Sequence, residues 1–120
     1  MEPSPELNQE QPKQDPIEEN LEESKVGTPY YLAPEIWKSK TYSKASDVWA
    51  IGVILYEMCC FQYPFPATEL EELERKVLCE KIQKHPNWVS SEFVELFTKM
   101  MRKDPAKRPT ISEVIFSDIF

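Results

Sequence analysis

The chain has 120 residues, 41% hydrophobic and 29% charged, with 21 acids against 14 bases and a net charge of −7. That length suits one domain of ordinary size or a piece of a larger one. The acidic balance argues against nucleic acid as the main partner, because phosphate binding needs a basic face. Eleven prolines against two glycines leave almost nothing for a glycine-rich phosphate loop. Three cysteines make a disulfide framework improbable, and no charged-then-apolar leader precedes them. The longest apolar run, 48–61, is interrupted by Glu57 and falls short of the roughly 20 residues that span a bilayer. The expectation is a soluble, intracellular protein, cytoplasmic or nuclear, with no membrane partner.

The charge is unevenly spread. Residues 1–24 hold eight acids (Glu2, Glu6, Glu10, Asp15, Glu18, Glu19, Glu22 and Glu23) against Lys13, which is the whole net charge of the chain. They also hold four prolines and only Met1, Leu7, Ile17 and Leu21 as large apolar residues. Such a segment buries too little surface to offset its ordering entropy. Residues 1–24 therefore read as a disordered acidic, proline-rich tail, either a spacer or a docking or phosphorylated segment, for instance at Ser4 before Pro5. Residues 25–120 read as the folded part.

The folded part is predicted to be all-α, about five helices around one central apolar helix. A short helix over 33–39 is entered through Pro34 in its first turn. The run 48–61 is apolar on every face, as a helix surrounded by other elements must be. Ser46 and Asp47 stand where side-chain oxygens could cap it, and Tyr63-Pro-Phe-Pro66 stops it. Thr68 and Glu71 read as a capping box for a third helix with Leu70, Leu73, Val77 and Leu78 inward. Glu71–Arg75 and Glu72–Lys76 pair on its outer face, and His85-Pro86 breaks it. Phe93, Leu96, Phe97, Met100 and Met101 form the apolar stripe of a fourth helix. After a loop over 103–109, Thr110 and Glu113 form a second capping box, opening a helix with Ile111, Val114, Ile115 and Ile119 inward. No stretch alternates as a half-buried strand does, and no repeat is visible.

Three segments carry a family resemblance. Gly27-Thr-Pro-Tyr-Tyr-Leu-Ala-Pro-Glu35 resembles the end of the activation segment of a serine/threonine protein kinase, with its Ala-Pro-Glu motif. Tyr42-Ser-Lys-Ala-Ser-Asp-Val-Trp-Ala-Ile-Gly52 resembles the central helix of that family's C-terminal lobe, and Asp104-Pro-Ala-Lys-Arg-Pro-Thr110 the loop before its last helix. The three stand in order and cover 26–120. The Gly-Thr-Pro-Tyr-Tyr-Leu form and the stretch Glu71-Glu-Leu-Glu-Arg-Lys-Val77 are similar to the NIMA-related branch.

The resemblance implies roles residue by residue. Glu35, closing Ala33-Pro34-Glu35, matches a carboxylate that pairs with the arginine matching Arg108, a planar guanidinium suited to two parallel hydrogen bonds. Thr28 matches a threonine that positions the catalytic aspartate and lysine for hydroxyl substrates. Tyr30, Tyr31 and Leu32 match the surface that receives the residue after the phosphoacceptor. Asp47, Trp49 and Gly52 match the Asp-x-Trp-x-x-Gly pattern, in which the aspartate binds backbone amides of the catalytic loop. The plain alternatives are a turn residue at Thr28, hydrophobic packing at Tyr31 and a helix cap at Asp47.

Phosphoryl transfer needs a cover over the phosphates, a lysine on them, a base aspartate and an Asp/Asn pair on Mg²⁺. These 120 residues hold no Gly-x-Gly-x-x-Gly, Val-Ala-Ile-Lys, His-Arg-Asp or Asp-Phe-Gly, and the single histidine is His85. The expectation is therefore a C-lobe fragment of a kinase, with no catalytic residue and no cofactor of its own, although the intact family uses ATP and Mg²⁺. A non-catalytic, pseudokinase-like module that binds a protein substrate or a kinase partner through the substrate-side surface is the alternative. No metal site is expected: Cys59, Cys60 and Cys79 lack ligand spacing and read as buried apolar residues. An apolar helix lacking some of its neighbours would leave an exposed patch and a marginal or partly molten domain.

Overall fold

The computed structural model describes residues 28–117. Five α-helices follow a 3-10 turn over Thr28–Tyr31: α1 (Pro34–Ser39), α2 (Lys44–Cys60), α3 (Leu70–Cys79), α4 (Ser91–Met100) and α5 (Ile111–Ile115), with a second 3-10 turn at Pro105–Lys107 before α5. No strand occurs among the described residues. The acidic segment 1–24 and Ile119 lie outside them.

Helix α2 organises the rest. It packs most extensively on α4, while the Thr28–Tyr31 and Pro105–Lys107 turns rest on it and α1 lies on α3. Trp49, Val53 and Tyr56 from α2 are fully buried together with Phe97 of α4, Phe65, and Leu73 and Val77 of α3. Val48, Leu96, Met100 and Val114 form a second cluster that seats α5. Tyr56 and Phe97 meet edge to face at 5.1 Å, an arrangement favoured by the ring quadrupoles.

The close approach of α2 and α4 depends on Gly52. A β-carbon there would stand 2.9 Å from Met100 Cβ and 2.9 Å from Met101 Cγ. Gly52→Ala is therefore expected to push the helices apart and destabilise the fold by about 1–3 kcal/mol. Urea denaturation reads this directly, and an unchanged midpoint would contradict the tight crossing.

Several helix ends differ from the sequence expectation. Helix α2 starts a turn earlier than the apolar run. Ser43 is its N-cap and accepts from Ser46 N–H, while the Ser46 hydroxyl accepts from Ser43 N–H. This is a capping box built from two serines, which the Ser/Thr-x-x-Glu/Gln pattern does not find. Asp47 is thus an exposed first-turn residue and not the cap. The helix ends at Cys60 because Phe61 turns left-handed at φ 56° and returns its N–H to Glu57 O, before the proline cluster is reached. Helix α3 begins at Leu70, after Glu69, with no side-chain cap. The Thr68 N–H instead takes Glu72 Oε1 at 3.2 Å.

Helix α3 also stops at Cys79, well before His85-Pro86. Glu72–Lys76 pairs at 3.4 Å as expected, but Arg75 reaches forward to Glu80 at 2.7 Å. The fourth-helix stripe is buried as its spacing predicts at Leu96, Phe97, Met100 and Met101, and Thr110 and Glu113 form their capping box. In α5 only Val114 is buried; Ile115 points out, 57% exposed. Of the cysteines, Cys60 is buried, Cys59 half-buried and Cys79 exposed.

The central helix is not covered on every side. Ile51, Ile54, Met58 and Phe61, spaced to share one face, are all exposed, and Trp88 joins them with its indole N–H on Cys59 O at 3.0 Å. These apolar side chains are left uncovered by the described residues.

Candidate functional site: the segment 28–35 and its anchors

The segment from Thr28 to Glu35 is fixed at both ends. At its far end, Pro34 starts α1 and places Glu35 in the first turn, facing the start of α2 and the loop before α5. Arg108 meets it with two parallel bonds, Nη1 to Glu35 Oε2 and Nη2 to Glu35 Oε1, each 2.8 Å. The same guanidinium donates to Ala45 O (2.8 Å), Arg102 O (2.7 Å) and Lys103 O (3.2 Å), so all five of its hydrogens are used within the protein. The Arg108 side chain is 0% exposed. Ser46, the capping serine of α2, adds its hydroxyl to Glu35 Oε2 at 2.7 Å.

Burial alone would raise the Glu35 carboxyl. The hydrogen bonds from Arg108 and Ser46, a backbone bond and the Arg108 charge outweigh it and hold the group below the usual carboxylate range. A depressed native value stabilises the fold above the ordinary value near 4.5, and that contribution is lost as the pH falls through the native value. Between pH 7 and pH 3 the wild type should therefore lose more thermal stability than Glu35→Gln. Parallel curves for the two proteins would refute the ionised pair.

Under this clamp lies Trp49. Arg108 stands 5.1 Å over its ring and Lys103 5.7 Å, while Phe65 stacks alongside at 6.1 Å. Lys103 also sits 4.8 Å over Phe65 and donates to Val77 O at 2.6 Å, which ties the loop before α5 to the end of α3. Burial lowers the Lys103 amine, Arg108 lowers it further, and Cys79 and Glu80 oppose the shift.

At the near end, two tyrosines grip different elements. Tyr30 stacks flat on Tyr63 at 4.2 Å and donates its hydroxyl to Ala67 O at 2.8 Å. Tyr31 donates to Glu57 Oε1 at 3.2 Å, and burial chiefly, followed by the Glu57 charge, raises its phenol. Leu32 is buried, and its carbonyl accepts from Trp37 Nε1 at 3.1 Å. Ala33 is buried as well. Of Thr28 only the backbone, inside the turn, is described.

The structure thus brings Tyr30, Tyr31, Leu32, Ala33, Pro34, Glu35, Trp49 and Arg108 into one continuous region, leaves Asp47 outside it in solvent, and uses Gly52 for the close approach of α2 to α4. Sequence reasoning missed Ser46 as a Glu35 partner and Glu57 as a Tyr31 partner. Glu57 is half-buried, its carboxyl is raised by burial against the lowering Tyr31 bond, and its Oε2 is buried without a hydrogen-bond partner. A lone acid inside an apolar run was the available signal.

The protein kinase domain family matches residues 7–120. The chain belongs to the protein kinase family. The five helices are those of its all-α C-terminal lobe. Among curated relatives, it is 44% identical to putative serine/threonine-protein kinase A of Trypanosoma brucei brucei over 88 residues, covering 73% of this chain and 20% of that protein. It is 37% identical over 90 residues to serine/threonine-protein kinase Nek3 of Mus musculus (75% of this chain, 18% of that protein). The same identity and length hold for serine/threonine-protein kinase Nek2 of Homo sapiens, with 75% of this chain and 20% of that protein covered. The chain therefore spans about a fifth of the length of these kinases.

Kinase chemistry runs on Mg²⁺ and a nucleotide. Among the described residues no three His, Cys, Asp or Glu side chains come together where they could hold a metal ion. Gly52, one of two glycines in the chain, is closed against Met100 and Met101 and is not part of a phosphate loop. Among the described residues no helix is long and apolar enough to cross a membrane.

Proposed function

We propose that the chain is the substrate-side part of a serine/threonine protein kinase C-lobe, working inside the cell on protein partners. In the whole kinase the activity is ATP-dependent phosphorylation of protein Ser and Thr; these 120 residues by themselves transfer no phosphate. The folded domain runs over 25–120, after the acidic tail. Tyr30, Tyr31 and Leu32, with Thr28, form the surface that positions the substrate. Ala33, Pro34, Glu35, Trp49, Gly52 and Arg108 hold that surface in place, and Asp47 is left free to meet the catalytic loop.

The observation that carries this reading is the Glu35–Arg108 clamp. A buried guanidinium with all five donors used joins the end of the segment to α2 and to the loop before α5. Such a group fixes backbone geometry on the far side of the segment from Tyr30 and Tyr31, where a substrate chain would lie. The exposed face of α2 supports the same reading, since it offers apolar area for further parts of a lobe.

Calorimetric titration with Mg-ATP, paired with a phosphorylation assay on a mixed Ser/Thr peptide set, tests the assignment. No heat of binding and no phosphate transfer are expected from the 120-residue chain. Tight Mg-ATP binding would overturn it. A second reading, a non-catalytic module that binds proteins through the same surface, is favoured by one observation: a groove walled by Pro29, Tyr30, Ala67, Leu70 and Leu73 lies open beside α3.

A further inference from the structure

A second groove, of about 460 Å³, lies open at the start of α2, the opposite end of that helix from the Tyr31–Glu57 bond. Ala45, Val48, Pro105, Pro109 and Ile111 give it an apolar floor, and Lys44, Thr110 and Ser112 supply polar groups. Its walls are firmly held. Arg108 Nη1 donates to Ala45 O, Thr110 and Glu113 close their capping box, and Ile111 packs against the cluster of Val48, Leu96, Met100 and Val114. A concave apolar floor with a few placed polar groups is the form of a docking site.

The charge around it is basic. The run 36–46 holds Lys38, Lys40 and Lys44 and no acid. Lys107 is exposed next to Ala106 in the lining, and Arg102 is held beside it by its bond to Lys107 O at 2.9 Å. Asp47, Asp104 and Glu113 oppose these cations, with Asp104 Oδ1 accepting from Ala106 N–H and Glu113 Oε1 from Thr110 N–H. The cations outnumber them, so the balance favours an anionic occupant. Residues 1–24 of the same chain carry the whole net charge of −7. Among them Ile17 and Leu21 stand four apart, on one side of a helical turn, flanked by Glu18, Glu19, Glu22 and Glu23.

We propose that residues 17–23 of this chain dock in the groove, with Ile17 and Leu21 on the apolar floor and the glutamates beside them on Lys44 and Lys107. The span permits it. Tyr31 is bonded to Glu57, which lies about 20 Å along α2 from Lys44 at 1.5 Å per residue. The stretch from Leu21 to Thr28 extends to about 24 Å, and that from Ile17 to about 37 Å. A tether of this length gives the segment a high effective concentration at the groove. The groove beside α3 repels the same segment, because Glu69 lines it and Glu71 is exposed next to it. Once docked, residues 17–23 cover Ala45 and Arg108, the joint that holds the segment 28–35 in place.

Amide hydrogen exchange on the whole chain, read by mass spectrometry, tests this. Residues 17–23 should exchange at least fivefold more slowly in the wild type than in Ile17→Ser/Leu21→Ser, and about 1 M salt should shrink the difference. Lys44→Glu/Lys107→Glu should lose the protection, and adding Glu18→Lys/Glu22→Lys to it should restore it. Lys44 is the first residue of α2, where an acid suits the helix dipole, so the charge reversal should keep the wild-type helix content. A brief acetylation pulse reads the other side of the contact. Lys44 and Lys107 should react at least threefold more slowly in the wild type than in Ile17→Ser/Leu21→Ser, with exposed Lys81, after α3, unchanged between the two. Unprotected residues 17–23, or protection indifferent to the lysine reversal, would overturn the proposal. Protection that disappears on dilution, with a dimer in sedimentation, would give the groove to the segment of a second copy and overturn docking within one chain.

Discussion

Replacing Arg108 with alanine is expected to lower stability by about 3–5 kcal/mol, because it strands the Glu35 carboxylate and uncovers three carbonyls at once. A domain of this size holds only about 5–15 kcal/mol in total, so the variant should be largely unfolded by modest urea. The carbonyl of Ala45 lies in the first turn of α2 and those of Arg102 and Lys103 in the loop before α5, and this one guanidinium reaches all three. Arg108→Lys should recover little. An ammonium has three donors on a single nitrogen and cannot match a carboxylate edge while reaching carbonyls on two other sides. A lysine variant with wild-type stability would show that charge alone, without the fork, holds the segment.

The second large effect lies directly beneath. Trp49→Ala should cost about 3–5 kcal/mol, as expected for deletion of a fully buried aromatic ring. The ring is 0% exposed and is flanked by Phe65, Arg108 and Lys103. Its loss removes apolar contact and leaves two cations over a void. Trp49→Phe distinguishes ring from indole N–H. Because Nε1 is buried without a hydrogen-bond partner, nothing polar is lost with it, and the phenylalanine variant should retain more than half of the stability that alanine forfeits. Equal losses in the two variants would mean that the indole N–H carries the effect.

Much of this architecture is legible in the sequence because its signals are local and periodic. The stripe from Phe93 to Met101 names its own buried face, and the Thr110–Glu113 box names the start of α5. What escapes is set by tertiary partners. The end of α2 is fixed by a left-handed Phe61, a conformation that no apolar pattern encodes. Its start depends on two serines acting mutually, one of which also serves Glu35. Helix α3 ends early because Gln83 N–H turns back to Pro64 O while Lys103 draws on Val77 O, both contacts between residues far apart in the chain. Within the site, the meeting of Glu35 and Arg108, 73 positions apart, could be expected only from the family resemblance. The Tyr31–Glu57 bond needed coordinates.

The distribution of exposed apolar residues carries the same lesson. Ile51, Ile54 and Met58 cannot be told apart from Val48, Val53 and Tyr56 by composition, since all lie in one apolar run. Only the position of α4 and of the segment 28–35 decides which face is covered.

The most direct test is a double-mutant cycle between Glu35→Gln and Arg108→Gln, read by urea denaturation at neutral pH. If the clamp joins the substrate-side segment to the last helices, the two losses should overlap strongly, with a coupling of about 2–3 kcal/mol, the upper part of the range found for residues in one network. Additive losses, with a coupling below about 0.5 kcal/mol, would mean that Glu35 and Arg108 stabilise the lobe independently and that the segment is held by something else.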